Sequence, residues 1–157
     1  MTRAEDLVKR FEQTNQDLIK TVEGCSDAQW RAQCAGEKWP VGVAAHHVAG
    51  GHEQIAGLAL AIATGQPLPP ITEEMMNQGN ADHAKQFANC SKAETLDLLR
   101  SGGAKAASII RGLSDAQLDR TGDFPAAGPD PVSAQWAAEI TITHAQEHLT
   151  SIRAAIK

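Results

Sequence analysis

Apolar residues fall along the chain in four long stretches of helical period. Leu7, Val8, Phe11, Leu18, Ile19 and Val22 lie on one face of a helix running from about residue 4 to residue 22. A second stretch, from Val41 to about Thr64, places Val41, Ala44, Val48, Ile55, Ala59 and Ile62 on a common stripe. A third opens at Ser91, which with Glu94 forms a capping box, and reaches about Leu113. The fourth begins at Pro131 or Val132 and runs nearly to Lys157, with Ala134, Ala138, Ile142, Ala145, Leu149, Ile152 and Ile156 on its apolar stripe. The breaks between them are "GCSDAQW", "GEKWP", "TGQPLPP" and "TGDFPAAGPDP", each rich in residues that end helices or make turns. Residues 71 to 90 read as a long connection holding one short helix, about Ala81 to Ala88. No segment alternates with period two for long enough to predict a strand. The expected architecture is all-α, a four-helix bundle with a long link between helices two and three, in one domain spanning residues 1–157.

Composition narrows the possible partners. Small apolar residues dominate and aromatics are few, which suits helices that approach closely. The net charge is −5 and no basic run appears, so nucleic acid is not an expected partner. No stretch approaches the roughly 20 apolar residues of a membrane span, and the charged N-terminus lacks a secretory pattern. Cys25, Cys34 and Cys90 include no C-x-x-C pair and read as reduced, buried thiols. A cytoplasmic protein is expected. "GCSDAQW" at 24–30 recurs as "GLSDAQL" at 112–118, each closing a long helix ahead of a histidine-bearing one. This is either a duplicated helix pair or a good helix start reached twice. "SGGAK" lacks the spacing of a phosphate loop and lies in a helical stretch.

The candidate chemistry is in the histidines. His46, His47 and His52 lie on the second helix, His144 and His148 on the fourth, and His83 in the link. His144 and His148 are one turn apart and about 40° around the axis, close enough to meet one ion. Alone, such a pair is a weak signal, because two half-exposed histidines on a solvated face look the same. Both fall at the margin of their apolar stripe, and so does His47, whereas His46 is expected to point nearly opposite. Three marginal histidines on two packed helices can line a groove with a position left open for water or substrate. His52 lies nearer the stripe centre and is either a rival third ligand or a buried, hydrogen-bonded histidine. Gly50 and Gly51 in mid-helix suggest a close approach, a bend or access to this groove. Trp30, Trp39 and Trp136 read as packing residues, Trp39 at the start of the second helix.

"WPVGVAAHHVAGGH", residues 39 to 52, together with "HAQEHLTSI", residues 144 to 152, resembles the DinB/YfiT-like superfamily of metal-dependent proteins. The shared pattern is a Trp, a helix start, a histidine eight residues after the Trp followed by an aliphatic residue, and H-x-x-x-H on the last helix. The resemblance implies an up-down-down-up four-helix bundle and a divalent-metal site at His47, His144 and His148, with zinc or nickel foremost. Relatives include mycothiol-dependent maleylpyruvate isomerases and bacillithiol transferases. The implied function is therefore a metal-dependent enzyme, a thiol S-transferase or a hydrolase, acting on a small molecule with a low-molecular-weight thiol or water. The alternative is a non-catalytic metal- or ligand-binding bundle. The separate C-terminal domain of some maleylpyruvate isomerases is not expected here. His52, Glu53, His83 and Glu147 are candidates for hydrogen bonding to the ligands or for proton transfer; for both glutamates a solvated helix face is the plain alternative. Relatives often pair, and a homodimer is expected, using apolar surface left by Phe11, Leu18, Leu96, Leu99 and Ile110.

Overall fold

The computed structural model describes residues 1–157. Seven helices follow in order: α1 Arg3–Glu23, α2 Asp27–Arg31, α3 Val41–Ala63, α4 Glu73–Gln86, α5 Lys92–Arg111, α6 Asp115–Leu118 and α7 Ala134–Ala155. Side-chain caps set most of their starts. Thr2, Ser26 and Ser114 each close a full capping box, with Glu5, Gln29 and Gln117 as the reciprocal partners. Ser91 and Ser133 cap α5 and α7. Pro40 precedes α3, where its missing N–H costs nothing.

The long helices α1, α3, α5 and α7 form the bundle, with α1 and α3 each packed against both α5 and α7. One apolar cluster gathers Leu7 and Phe11 from the start of α1, Ala59 and Ile62 from the end of α3, Ile110 from the end of α5 and Ala138 from the start of α7. The other gathers Leu18 and Val22, Val41 and Val48, Leu99, and Leu149 and Ile152 from the opposite ends. Hence α1 and α7 run one way and α3 and α5 the other, the up-down-down-up order. Because α3 and α5 are parallel, residues 64–91 must return the length of α3, about 34 Å at 1.5 Å per residue. That return carries α4 along the outside of the bundle.

Glycine and alanine let these helices touch. A Cβ on Gly102 would stand 3.2 Å from the Ala49 carbonyl, and one on Gly103 would collide with Asn15. The "SGGAK" stretch is thus a point of close helix contact.

Four expectations are corrected. The helix in the link starts at Glu73, eight residues before the expected start, because Thr72 Oγ1 caps Met75 N–H at 3.2 Å. None of its residues is buried, so no apolar stripe announced it. The last helix starts at Ala134, since Val132–Ser133 forms a strand antiparallel to Thr121–Gly122. Two-residue strands are too short for any alternation to show. His46 does not face away from the core but is only 4% exposed, and every residue from Val41 to Ala49 except His47 is buried. Phe11, Leu18, Leu99 and Ile110 are fully buried within the single chain, so they offer no surface for pairing.

Candidate metal centre

His47, half-buried on the second turn of α3, faces the middle of α7, where His144 and His148 follow one another by a turn. One ring nitrogen from each of the three lies within 4.8 Å of the others. The Nε2 atoms of His47 and His144 are 2.9 Å apart, so one of the two donates its proton to the lone pair of the other. The rings meet edge to face, with centroids 4.8 Å apart for His47 and His144 and 5.0 Å for His47 and His148.

The loop between α2 and α3 supplies the rest of the cradle. It is pinned by Cys34 N–H donating to the Trp39 carbonyl and Val41 N–H donating to the Ala32 carbonyl, with Lys38 in the left-handed region at φ 62°. This holds Glu37 beneath α7. His148 Nδ1–H donates to Glu37 Oε1 at 3.1 Å, and the Ser151 hydroxyl donates to Glu37 Oε2 at 2.7 Å. The Glu37 bond fixes the proton of His148 on Nδ1 and leaves its Nε2 a free lone pair. Trp39 packs edge-on against His47 and stacks at 6.5 Å over His148, so it shapes the site as well as the start of α3.

Burial keeps His47 and His144 neutral. Burial, and then the neighbouring His144, His148, His83 and His46, push the His47 pKa down to about 3. Burial, with His148 next, lowers that of His144 to about 4. Burial alone would raise the Glu37 carboxyl. The Ser151 hydroxyl, its own backbone N–H and His148 outweigh that and hold it below the usual range. Deprotonated imidazoles beside an ionised carboxylate are the state in which histidine binds cations.

The remaining candidates divide. His83, brought in by α4, sits with its ring 5.6 Å from that of His47 and its Nε2 2.8 Å from His46 Nδ1, while Phe87 stacks on His46 at 4.0 Å. His52 is 1% exposed, and its Nε2 lies 2.8 Å from Asn15 Oδ1. It takes no place among the three. Glu53 is exposed and pairs with Lys105 at 3.3 Å, and Glu147 is exposed without a bond to any histidine. The carboxylate that holds a site histidine is instead Glu37, 111 residues from His148, and no local spacing could connect them. Of the two mid-helix glycines, Gly51 faces the site. A Cβ there would lie 3.3 Å from His144 Cε1, whereas Gly50 faces open space.

A tetrahedral ion with nitrogen at 2.0–2.1 Å needs donors roughly 3.3 Å apart. Three imidazoles gathered this closely, two with Nε2 atoms facing and the third with its Nε2 set free by Glu37, fit such an ion without a change of fold.

Residues 10–152 match the family model of the DinB superfamily. The chain belongs to the DinB superfamily. Among solved structures, YfiT from Bacillus subtilis, described as a probable metal-dependent hydrolase with an unusual four-helix bundle topology, aligns with a TM-score of 0.79. That alignment has 18% sequence identity and covers 99% of this chain and 87% of the other. At that identity the likeness shows the fold that the two proteins share. No curated protein matches this DinB chain. The bundle brings Trp39, His144 and His148 together with His47.

Proposed function

We propose that this protein is a divalent-metal-dependent enzyme in which His47, His144 and His148 hold one cation, zinc or nickel foremost. The reaction class is nucleophilic attack on an electrophilic small molecule, by water in a hydrolase or by a low-molecular-weight thiol in an S-transferase. The observation that carries this reading is the gathering of three imidazole donors within 4.8 Å with no fourth histidine, cysteine, aspartate or glutamate in the group. A structural site is normally closed by four protein ligands, and a catalytic one keeps a position for the reactant. A divalent ion bound there would lower the pKa of a bound water or thiol and so supply a nucleophile at neutral pH.

The chain's own residues have definable parts in this reading. His47 and His144 present Nε2 lone pairs once the ring that carries its proton on Nε2 takes the Nδ1–H tautomer. Glu37 and Ser151 orient His148. Trp39 covers one side of the cluster and excludes water from the His47 and His148 rings. His83 and His46 stand beside His47 as a bonded pair able to take up or release a proton. The description of YfiT as a probable hydrolase favours water as the nucleophile. The resemblance to thiol-dependent enzymes supports the transferase.

Metal analysis of natively purified protein, followed by turnover assays on activated esters and on electrophiles with and without thiols, tests the reading. One ion per chain and metal-dependent turnover are expected. A His144→Ala/His148→Ala double variant that keeps full metal content would overturn the ligand assignment. One ion per chain with no turnover on any substrate class would leave the metal as a tie between α3 and α7.

A further inference from the structure

Three buried nitrogens in the structure have no hydrogen-bond partner: Nδ1 of His52, of His83 and of His144. Two of them, on His52 and His144, have complementary needs. The Asn15 amide is oriented by its Nδ2, which donates to the Leu99 carbonyl at 3.0 Å. Its Oδ1 is therefore an acceptor, and it receives the Nε2–H of His52 at 2.8 Å. His52 thus carries its proton on Nε2, and its Nδ1 is a bare lone pair at a site 1% exposed. His144 is the reverse case. Its Nε2 faces His47, the side from which a cation would be held, so as a ligand it must carry its proton on Nδ1. That N–H is buried and unpartnered. The His144 ring lies over Gly51, where a Cβ would be 3.6 Å from Nδ1, and His52 is the next residue.

We propose that His52 is a positioning residue for the metal centre: its Nδ1 accepts the Nδ1–H of His144, and Asn15 fixes the tautomer that makes it an acceptor. The inference rests on the proposed function, in that it takes His144 as a ligand through Nε2. The hydrogen bonds already present join three bundle helices, from the Leu99 carbonyl on α5 to Asn15 on α1 and His52 on α3, and the proposed bond would extend the line to His144 on α7. The last link is not formed in the structure. It requires a turn of the His144 ring about χ2, a broad torsion, and Gly51 places no side chain against that ring. Ligating histidines nearly always give their second N–H to an acceptor, and loss of that acceptor costs about 10–100-fold in metal affinity. Glu37 serves His148 in this way, and His52 serves His144.

The test uses the full chain and zinc alone. Long-range 1H–15N spectra of the zinc-loaded protein should show His52 protonated on Nε2 and His144 on Nδ1. His52→Leu should weaken zinc binding about 10–100-fold at unchanged one-to-one stoichiometry. Asn15→Leu should weaken it in the same direction without touching the site, and His52→Gln, which keeps an acceptor, should recover part of the loss. Combined with His144→Ala, His52→Leu should cost nothing further. The proposal is overturned by His52 protonated on Nδ1, by wild-type zinc affinity in His52→Leu, or by an equal loss in the His144→Ala background. If His52→Leu fails to fold, the tautomers of the wild-type protein decide alone. Failure of the underlying metal reading looks different: the wild type itself would bind no zinc through His144.

Discussion

Glu37 accepts the Nδ1–H of His148 at 3.1 Å while taking a second bond from Ser151 at 2.7 Å, so a loop residue sets the tautomer of a helix residue in the site. Glu37→Ala should lower metal affinity about 10–100-fold, as the loss of such partners does elsewhere. Glu37→Gln should cost less, because the amide oxygen still accepts. Glu147→Ala should cost nothing, since Glu147 is exposed and unbonded to the site. Competition titrations with a chromogenic zinc chelator read all three. Equal effects of Glu37→Ala and Glu147→Ala would separate the loop from the metal.

Alanine at His47, His144 or His148 should each abolish tight binding, while His46→Ala should change it little. His46 is turned toward His83 and Phe87. The metal-free protein should stay folded, because the apolar clusters at both ends of the bundle contain no site histidine. Free metal at 100 times Kd should add about 2.7 kcal/mol to wild-type stability and nothing to the three variants. Thermal melts with and without chelator give both numbers. Complete unfolding of the wild type by a chelator at 25 °C would make the ion a structural one.

The bundle was legible because its long helices carry apolar periodicity, and the His144–His148 pair because it lies within one helix; the choice of His47 over His52 as their partner rests on the family resemblance. The apolar stripe of α7 is buried from Ala134 to Ile152 as the sequence predicts, and the same periodicity puts His144 and His148 at its margin. What was hidden depends on contacts between distant segments. His46 lies off the α3 stripe, and only the return of α4 and Phe87 over it makes it a buried residue. The same return delivers His83 to His46. Glu37 sits in a nine-residue loop without periodicity, and nothing near it in sequence names its partner. The α4 helix is exposed along its length, so its sequence carries a cap and no stripe.

The stability of the metal-free protein should fall in acid, and His52 should contribute. Burial, with His144 next, depresses its folded pKa to about 4 from an ordinary 6.5. Between those values the unfolded chain binds the proton and the folded one does not. The contribution is therefore fully present above pH 6.5 and is lost as pH falls toward 4. From pH 7 to pH 5 this amounts to about 2 kcal/mol. Urea unfolding in the presence of EDTA at the two pH values should show a smaller drop for His52→Leu than for wild type by about that amount. Equal drops would place His52 in contact with water in the folded state.

Three glycines should respond to alanine in three different ways. Gly50 is in mid-α3 with nothing within 4 Å of an added Cβ, so Gly50→Ala should gain up to about 1 kcal/mol from helix propensity. Gly103→Ala receives the same gain but drives its methyl into Asn15, held in place by Leu99 and His52. Overpacking of about 1–3 kcal/mol should win, leaving the variant less stable than wild type. Gly51→Ala meets His144 Cε1 at 3.3 Å, so its stability should change little while its metal affinity falls. Urea titrations of the chelator-treated proteins rank the stabilities, and zinc competition ranks the affinities. A Gly51→Ala variant with wild-type affinity would mean that the His144 ring is free to move away from α3 and that its packing against Gly51 does not hold it for the ion.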